Sequence, residues 1–162
     1  MRSLKTPVLM LALTLLFPVL VLAEIHHADS LDTIEQRNTG VPWLLVIWST
    51  DCPPCHIELE LLSGLQKRQG EKLRVEFFSF DALRNEDDVL RIANSHQLDT
   101  WFSTEPNRQK LQMMIDSNWR GELPRSYWYQ ADGSRCAQSG VLSKQAVIAW
   151  FEKALPSCQE PG

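Results

Sequence analysis

Cysteine is scarce in this sequence, with four residues in a chain of 162. Four are too few for a small domain held together mainly by disulfides, but they suffice for redox chemistry, a metal site or one structural bridge. Glycine and proline, at 7 and 9 residues, stay near average usage, which excludes collagen-like and low-complexity chains. An excess of positive charge is also absent. The formal net charge of −4 argues against a nucleic-acid partner.

The longest apolar run lies at the start of the chain. A short basic segment precedes a run from Val8 to Leu22, which contains Pro18 and is followed by Ala23. This pattern is typical of a secretory signal over residues 1–23, cleaved after Ala23. An uncleaved membrane anchor is the alternative, although a spanning helix needs about 20 apolar residues and this run is shorter. We expect one domain over residues 24–162, in a compartment where thiols can be oxidised.

The rest of the sequence alternates predicted helices and strands. The strands are predicted over 43–48, 73–80, 101–104, 125–129 and 134–138. The helices are predicted over 30–37, 55–69, 85–96, 108–117 and 143–155. The first strand is a continuous apolar run, as expected for a strand buried on both faces. The order predicts an α/β fold with a mixed parallel and antiparallel sheet and helices on both faces.

The tetrapeptide Cys52-Pro53-Pro54-Cys55 lies where the buried strand ends and a helix begins. Cys52 falls at or near the helix N-cap, where the helix dipole and unpaired N–H groups stabilise a thiolate. We therefore expect its pKa to lie below the free value of about 8.5. The two prolines have no N–H, so the donors available to the Cys52 sulfur begin at Cys55. The position favours redox activity over an inert bridge.

Metal binding is the competing interpretation of these cysteines. A structural zinc site needs four ligands, and the sequence has no second closely spaced pair of cysteines. A non-enzymatic carrier could hold Cu(I) through Cys52, Cys55 and His56, since soft thiolates select that ion. After signal cleavage, the new start at Glu24 with His26 in third place could bind Cu(II), although a disordered polar start is the simpler expectation. We predict no metal site.

Glu58 lies one turn beyond Cys55 on the predicted helix. At about 100° per residue, it falls within roughly 60° of Cys55, Leu62 and Leu65 around the helix axis. A carboxylate in this apolar stripe is partly buried, which raises its pKa and lets it exchange a proton with a buried thiol. The alternative is a rotated helix with Glu58 solvated like Glu60.

Two segments together resemble a known family. The segment Trp48-Ser49-Thr50-Asp51-Cys52-Pro53-Pro54-Cys55-His56-Ile57-Glu58 resembles the W-x-x-W-C-P-P-C-x-x-E motif of TlpA-like thioredoxin-fold proteins. These are exported bacterial thiol-disulfide oxidoreductases, some of which serve cytochrome c maturation. Gly121-Glu122-Leu123-Pro124, followed by a strand and Asp132-Gly133, resembles the cis-proline loop and hairpin of that family. The resemblance covers roughly residues 30–155 and implies a thioredoxin fold.

By this resemblance Cys52 is the attacking cysteine, Cys55 the resolving cysteine and Glu58 the active-site carboxylate. Pro124 is the cis-proline that faces the disulfide, and an ordinary trans turn is the alternative there.

The resemblance also implies which residues contact a client protein. These are Leu123, whose backbone can pair with an extended segment, Trp48 and Pro53. The implied function is a periplasmic enzyme that reduces disulfides in exported proteins. An upstream reductant, such as a membrane thiol-disulfide transporter, restores its dithiol. No cofactor is expected beyond the Cys52–Cys55 disulfide, and the protein is expected to be a monomer. An oxidising or isomerising role stays open.

Four positions depart from the family pattern. Asp51 replaces the tryptophan before the first cysteine, and its negative charge opposes thiolate formation, which makes the pair less oxidising. Glu60 stands where the family often has proline. Val46 replaces the buried aspartate of classical thioredoxins, so Glu58 has no obvious substitute. Leu123 replaces the usual Thr, Val or Ile before the cis-proline. These departures bear on substrate choice.

The two remaining cysteines are expected to form a structural pair. Cys136 lies on the last predicted strand and Cys158 follows the last predicted helix, which runs back antiparallel to that strand. A bridge would fix the C-terminal tail and add a few kcal/mol of stability. Two free thiols, or a second redox pair that exchanges with Cys52, are the alternatives.

Overall fold

The computed structural model describes residues 22–28 and 30–153. Its strands are β1 (Ile25–Ala28), β2 (Trp43–Trp48), β3 (Val75–Ser79), β4 (Thr100–Ser103), β5 (Arg125–Tyr129) and β6 (Arg135–Ser139). Its α-helices are α1 (Asp32–Arg37), α2 (Pro53–Gln69), α3 (Glu86–His96), α4 (Arg108–Ile115) and α5 (Lys144–Lys153). Short 3-10 helices follow α2 at Gly70–Lys72 and precede α3 at Leu83–Asn85. Gly70, with φ 58°, ends α2 as predicted.

The six strands form one mixed sheet in the order β1-β4-β3-β2-β5-β6. β2 pairs parallel with β3 and antiparallel with β5, so it lies in the middle of the sheet. β4 pairs parallel with both β3 and β1, and β6 pairs antiparallel with β5. Each described end of the predicted elements lies within two residues of its predicted position. The predicted α/β architecture with a mixed sheet is therefore confirmed.

Alternate residues of β2 face opposite layers of core. Leu44, Val46 and Trp48 pack on one side of the sheet. Trp43, Leu45 and Ile47 pack on the other side. The first layer includes residues of α2, α3 and α5, and the second includes residues of α1 and α4. Because both faces are covered by helices, every residue of β2 is buried and the strand is apolar throughout.

The N-terminal segment corrects one expectation. Residues 25–28 are strand β1, paired with β4, rather than a disordered start. The amide of Thr100 donates to the carbonyl of Glu24 at 3.0 Å, and the His26 ring lies 5.0 Å from that of Trp101. A square-planar Cu(II) site would need the backbone of this segment to leave the sheet. The strand has four residues, two of them histidine, and lacks a clear alternation that sequence reasoning could detect.

Two predicted features fall on positions outside the described residues. The signal sequence lies there up to residue 21, and so does Cys158. The cleavage site after Ala23 and the Cys136–Cys158 bridge therefore stay predictions. Within the described ranges, no helix combines the length and apolarity that crossing a membrane requires.

Candidate active site

The turn from β2 into α2 places Cys52 at the helix N-cap. Its backbone is extended, with φ −114° and ψ 92°, and its Sγ accepts a hydrogen bond from the Cys55 amide at 3.2 Å. Pro53 and Pro54 occupy the first turn, where a missing N–H costs no helical hydrogen bond. The Cys55 amide is thus the donor to the Cys52 sulfur, as expected from the two prolines that lack an N–H.

Cys52 and Cys55 form a disulfide, with their Cα atoms 5.2 Å apart. Cys55 is fully buried, whereas Cys52 is 8% exposed and is followed by two exposed prolines. Of the two sulfurs, that of Cys52 belongs to the more accessible residue. This asymmetry fits the assignment of Cys52 as the attacking cysteine and Cys55 as the resolving one.

Glu58 lies one turn further along α2 and is fully buried, whereas Glu60 is exposed. The alternative of a rotated helix with a solvated Glu58 is therefore wrong. Its Oε1 accepts a hydrogen bond from the Leu142 amide at 3.2 Å and a long one from the Ser126 hydroxyl at 3.4 Å. Its Oε2 has no hydrogen-bond partner among the described residues.

Burial raises the pKa of Glu58 from 4.5 to about 7, and the hydrogen bonds from Leu142 and Ser126 lower it by less than burial raises it. Near neutral pH this carboxyl group therefore exists in both protonation states. It can take up and return a proton within the apolar layer that also contains Cys55.

The loop before β5 contains the predicted cis-proline. The peptide bond between Leu123 and Pro124 is cis, and the Pro124 carbonyl accepts a hydrogen bond from the Gly140 amide at 2.9 Å. Pro124 is buried and Leu123 is half-buried. Ser126, two residues later, donates to Glu58, so the start of β5 contributes to the surroundings of the Glu58 carboxyl group.

The expected client contact through Trp48 is wrong for its side chain. Trp48 is fully buried, and its indole N–H donates to the Thr100 hydroxyl at 3.1 Å. The physical reason is the central position of β2, which has a helical layer on each face. Trp48 is therefore a core residue beneath the site, whereas Pro53 and Leu123 keep surface that a client can reach.

Sequence reasoning missed Asp81, a second carboxylate at this end of the sheet. Asp81 follows β3 and is only 4% exposed. It accepts hydrogen bonds from Ser49 and Thr50, which lie between β2 and Cys52. An aspartate directly after a buried parallel strand was the available signal, because the carboxyl ends of parallel strands meet at one edge of the sheet.

The copper-carrier alternative depends on Cys52, Cys55 and His56. Among residues 22–28 and 30–153, no three His, Cys, Asp or Glu side chains are grouped so that they could hold a metal ion. The His56 Nε2 lies within hydrogen-bond distance of the Thr50 carbonyl oxygen, at 3.0 Å, so one of its two ring nitrogens already has a partner.

Cys136 lies on β6, opposite Trp128 of β5, and is half-buried. This is the predicted position for Cys136, on the last strand of the sheet.

No model of a known protein family matches this sequence, and no curated protein is similar to it at a significant level. Solved structures do resemble it. A secreted disulfide oxidoreductase of Mycobacterium tuberculosis, described as homologous to DsbE of E. coli, is 19% identical, with a TM-score of 0.54 over 74% of this chain and 86% of its own. A thioredoxin-family thiol:disulfide interchange protein of Chlorobium tepidum is 18% identical, with a TM-score of 0.57 over 74% and 83%.

A third similar structure is the exposed lipoprotein thioredoxin Etrx1 of Streptococcus pneumoniae. It is 14% identical, with a TM-score of 0.56 over 73% of this chain and 88% of its own. At such low identity the similarity is one of fold. This chain therefore adopts the thioredoxin fold, which it shares with thiol-disulfide oxidoreductases of several bacteria, and its CxxC pair forms a disulfide.

Proposed function

We propose that this protein is an exported thiol:disulfide oxidoreductase that reduces disulfides in other exported proteins. The observation that carries the proposal is the Cys52–Cys55 disulfide at the start of α2, one turn before a buried carboxyl group with a pKa of about 7. A structural disulfide needs no proton acceptor one helical turn beyond its second cysteine, whereas dithiol exchange uses one.

In the reduced protein, the Cys52 thiolate attacks one sulfur of a client disulfide. A bond forms between Cys52 and that sulfur, the client disulfide breaks, and the second client sulfur leaves as a thiolate that takes up a proton. The Cys55 amide, which donates to the Cys52 sulfur in the oxidised protein, is placed to stabilise the Cys52 thiolate before attack.

Resolution uses the second cysteine and Glu58. The Cys55 thiol gives its proton to the Glu58 carboxylate and attacks the Cys52 sulfur. The Cys52–Cys55 disulfide forms, and the mixed disulfide breaks. The remaining client sulfur leaves as a thiol after protonation, for which protonated Glu58 is a suitable donor. Two electrons pass from the protein dithiol to the client disulfide, so a reductant with a dithiol must restore the protein.

The reducing direction is supported by Asp51, an exposed carboxylate directly before Cys52. Its negative charge disfavours the Cys52 thiolate, and a less stable thiolate makes the disulfide less oxidising. Client binding is assigned to the backbone of Leu123, next to the cis-proline, and to Pro53. An oxidising or isomerising role is the alternative direction for the same chemistry.

Export is supported by the signal-like residues 1–23 and by the secreted and exposed proteins among the similar structures. In a bacterium with two membranes the location would be the periplasm, and the upstream reductant would be a membrane thiol-disulfide transporter. We propose that the protein acts as a monomer and needs no cofactor apart from its own cysteines.

The test is a disulfide-reduction assay with a fluorescent peptide disulfide, in which the wild type is compared with Cys52→Ser and Cys55→Ser. With each protein reduced beforehand, we expect the wild type to reduce one peptide disulfide per molecule, Cys52→Ser not to react, and Cys55→Ser to form a mixed disulfide that it cannot resolve. A wild type that reduces no disulfide but binds one Cu(I) tightly would replace the proposal with the copper carrier. A Cys52–Cys55 potential near the roughly −120 mV of a strong oxidant would reverse the direction.

A further inference from the structure

The segment Ser49-Thr50-Asp51, which joins β2 to Cys52, is held by a residue that is distant in sequence. Asp81 lies two residues beyond the end of β3 and is almost completely buried. Its Oδ1 accepts hydrogen bonds from the Ser49 hydroxyl at 2.9 Å and the Thr50 hydroxyl at 2.7 Å. Its Oδ2 accepts from the Thr50 amide at 3.0 Å and the Ser79 hydroxyl at 2.8 Å. Both carboxylate oxygens are therefore occupied by donors.

The same two residues connect Asp81 to the active site. The Cys52 amide donates to the Ser49 carbonyl at 3.2 Å. The Thr50 carbonyl lies 3.0 Å from the His56 Nε2, next to Cys55 in α2. Ser49 and Thr50 thus bind Asp81 through their side chains. Through their carbonyl groups they contact Cys52 and His56, which lie at the start of α2.

We propose that Asp81 is a positioning residue for thiol-disulfide exchange: it clamps Ser49 and Thr50 and thereby holds Cys52 at the N-terminus of α2. The inference rests on the proposed function and adds to it a residue that acts through the loop. Stabilisation of a thiolate by a helix N-terminus falls off within the first turn, so a loop that moves Cys52 outward loses it. Poor alignment of the attacking sulfur lowers the exchange rate as well.

Two variants of Asp81 distinguish a role in holding the loop by hydrogen bonds from a role of the negative charge. Asp81→Ala removes every acceptor. Asp81→Asn removes the charge but keeps one oxygen for the Thr50 amide, and the hydroxyl groups of Ser49 and Thr50 can rotate to accept from its NH₂. A clamp predicts that Asp81→Ala slows exchange by between about tenfold and a hundredfold, whereas Asp81→Asn stays within about threefold of the wild type. It also predicts an upward shift of the pH midpoint for Cys52 alkylation in Asp81→Ala alone.

Glu76→Gln is the matched control. Glu76 lies on β3, at the end of the strand remote from Asp81 and the disulfide. It accepts hydrogen bonds from Asn38 and Trp101. We expect this variant to lose stability in thermal unfolding without a change in the alkylation midpoint or in the redox equilibrium with glutathione. If both Asp81 variants shift the midpoint downward, Asp81 acts through its charge and the positioning role is overturned.

Thr50→Val keeps the test decisive if Asp81→Ala does not fold. It removes one hydroxyl donor to Asp81 while it preserves side-chain shape and the Thr50 amide. We expect a drop of about threefold in the exchange rate, and a smaller drop when Asp81→Asn is already present, because the two groups belong to one network. Full additivity overturns the clamp. The alkylation midpoint and the glutathione equilibrium need no client, so they test Asp81 even if the proposed reductase activity fails.

Discussion

Two buried carboxylates lie at the disulfide end of the sheet, and they differ in the hydrogen bonds that reach them. Glu58 receives one bond of 3.2 Å and one of 3.4 Å, both at Oε1, and its Oε2 has no partner among the described residues. Asp81 receives four bonds of 2.7–3.0 Å, two at each oxygen. The two side chains are similarly buried, so they differ in the number of hydrogen-bond donors that reach them.

The local sequences explain this difference. Glu58 is flanked on α2 by buried leucines, and its donors come from β5 and from the segment after β6. Asp81 lies two residues beyond β3, where Ser79 of the same strand and Ser49 and Thr50 from the end of β2 all donate hydroxyl groups to it. A buried carboxyl group that accepts few hydrogen bonds holds a proton more readily, because little stabilises its charged form. Glu58 is therefore suited to proton exchange. A carboxylate with every oxygen occupied is suited to holding a loop.

Replacement of Glu58 by glutamine has the largest expected effect. The amide side chain would keep the size of the carboxyl group but could not accept the Cys55 proton, so resolution of the mixed disulfide should slow by about a hundredfold. The measurement is single-turnover release of the client thiol across a pH series. The wild-type profile should show an ionisation near the raised pKa of about 7, which the variant lacks.

Glu60→Gln is the control for that experiment, because Glu60 lies on the exposed face of the same helix. It should leave both the rate and the pH profile unchanged. An unchanged profile in Glu58→Gln would remove the proton-transfer role and leave Glu58 without the function that distinguishes it from Asp81.

The same carboxyl group should make stability depend on pH. Since its pKa is about 7 in the folded protein and 4.5 in the reference state, the folded state binds the proton more tightly. Its contribution to stability is therefore complete below the lower value and is lost as the pH rises through the upper one. The shift corresponds to about 3 kcal/mol in the free energy of unfolding.

Glu58→Gln removes this dependence because the amide does not titrate. In urea unfolding of the oxidised proteins, the stability of the variant relative to the wild type should rise by up to about 3 kcal/mol from about pH 4 to about pH 8. Parallel stability curves would show that Glu58 has an ordinary pKa in the folded state.

The two carboxylates also differ in how far their positions can be predicted from the sequence. The position of Glu58 in an apolar stripe follows from helical periodicity within one element, as does its alignment with Cys55. The role of Asp81 depends on Ser49 and Thr50, more than 30 residues earlier in the chain. An aspartate after a buried strand is a local signal, but its partners are set by the parallel pairing of β2 with β3, which brings the two segments together.

Errors at other positions have their own causes. The family resemblance implied a client contact for Trp48, whereas the apolar run over 43–48 predicted a strand buried on both faces, and Trp48 is buried as that run predicts. Strand β1 is short and lies at the sheet edge, where its partner β4 decides its conformation. The helices and the buried strands were predictable because their periodicity and apolar runs are local signals.

Ser126→Ala should leave Glu58 with one hydrogen-bond donor and so increase its difference from Asp81. The Ser126 hydroxyl lowers the pKa of Glu58, so its removal should raise this pKa beyond about 7. We expect the ionisation in the exchange profile to shift to higher pH and the rate at neutral pH to change by about two- to threefold, since a long hydrogen bond contributes little. A shift to lower pH would contradict the hydrogen-bond assignment.

Asp51→Asn, at an exposed carboxylate beside Cys52, should have the smallest effect. Removal of the negative charge should favour the Cys52 thiolate and raise its alkylation rate in the reduced protein by less than about threefold, because solvent screens an exposed charge. The increase should disappear at about 1 M salt, where the screening length is about 3 Å. An increase that persists in high salt would mean that Asp51 acts through the conformation of the loop, which is the role that this comparison assigns to Asp81.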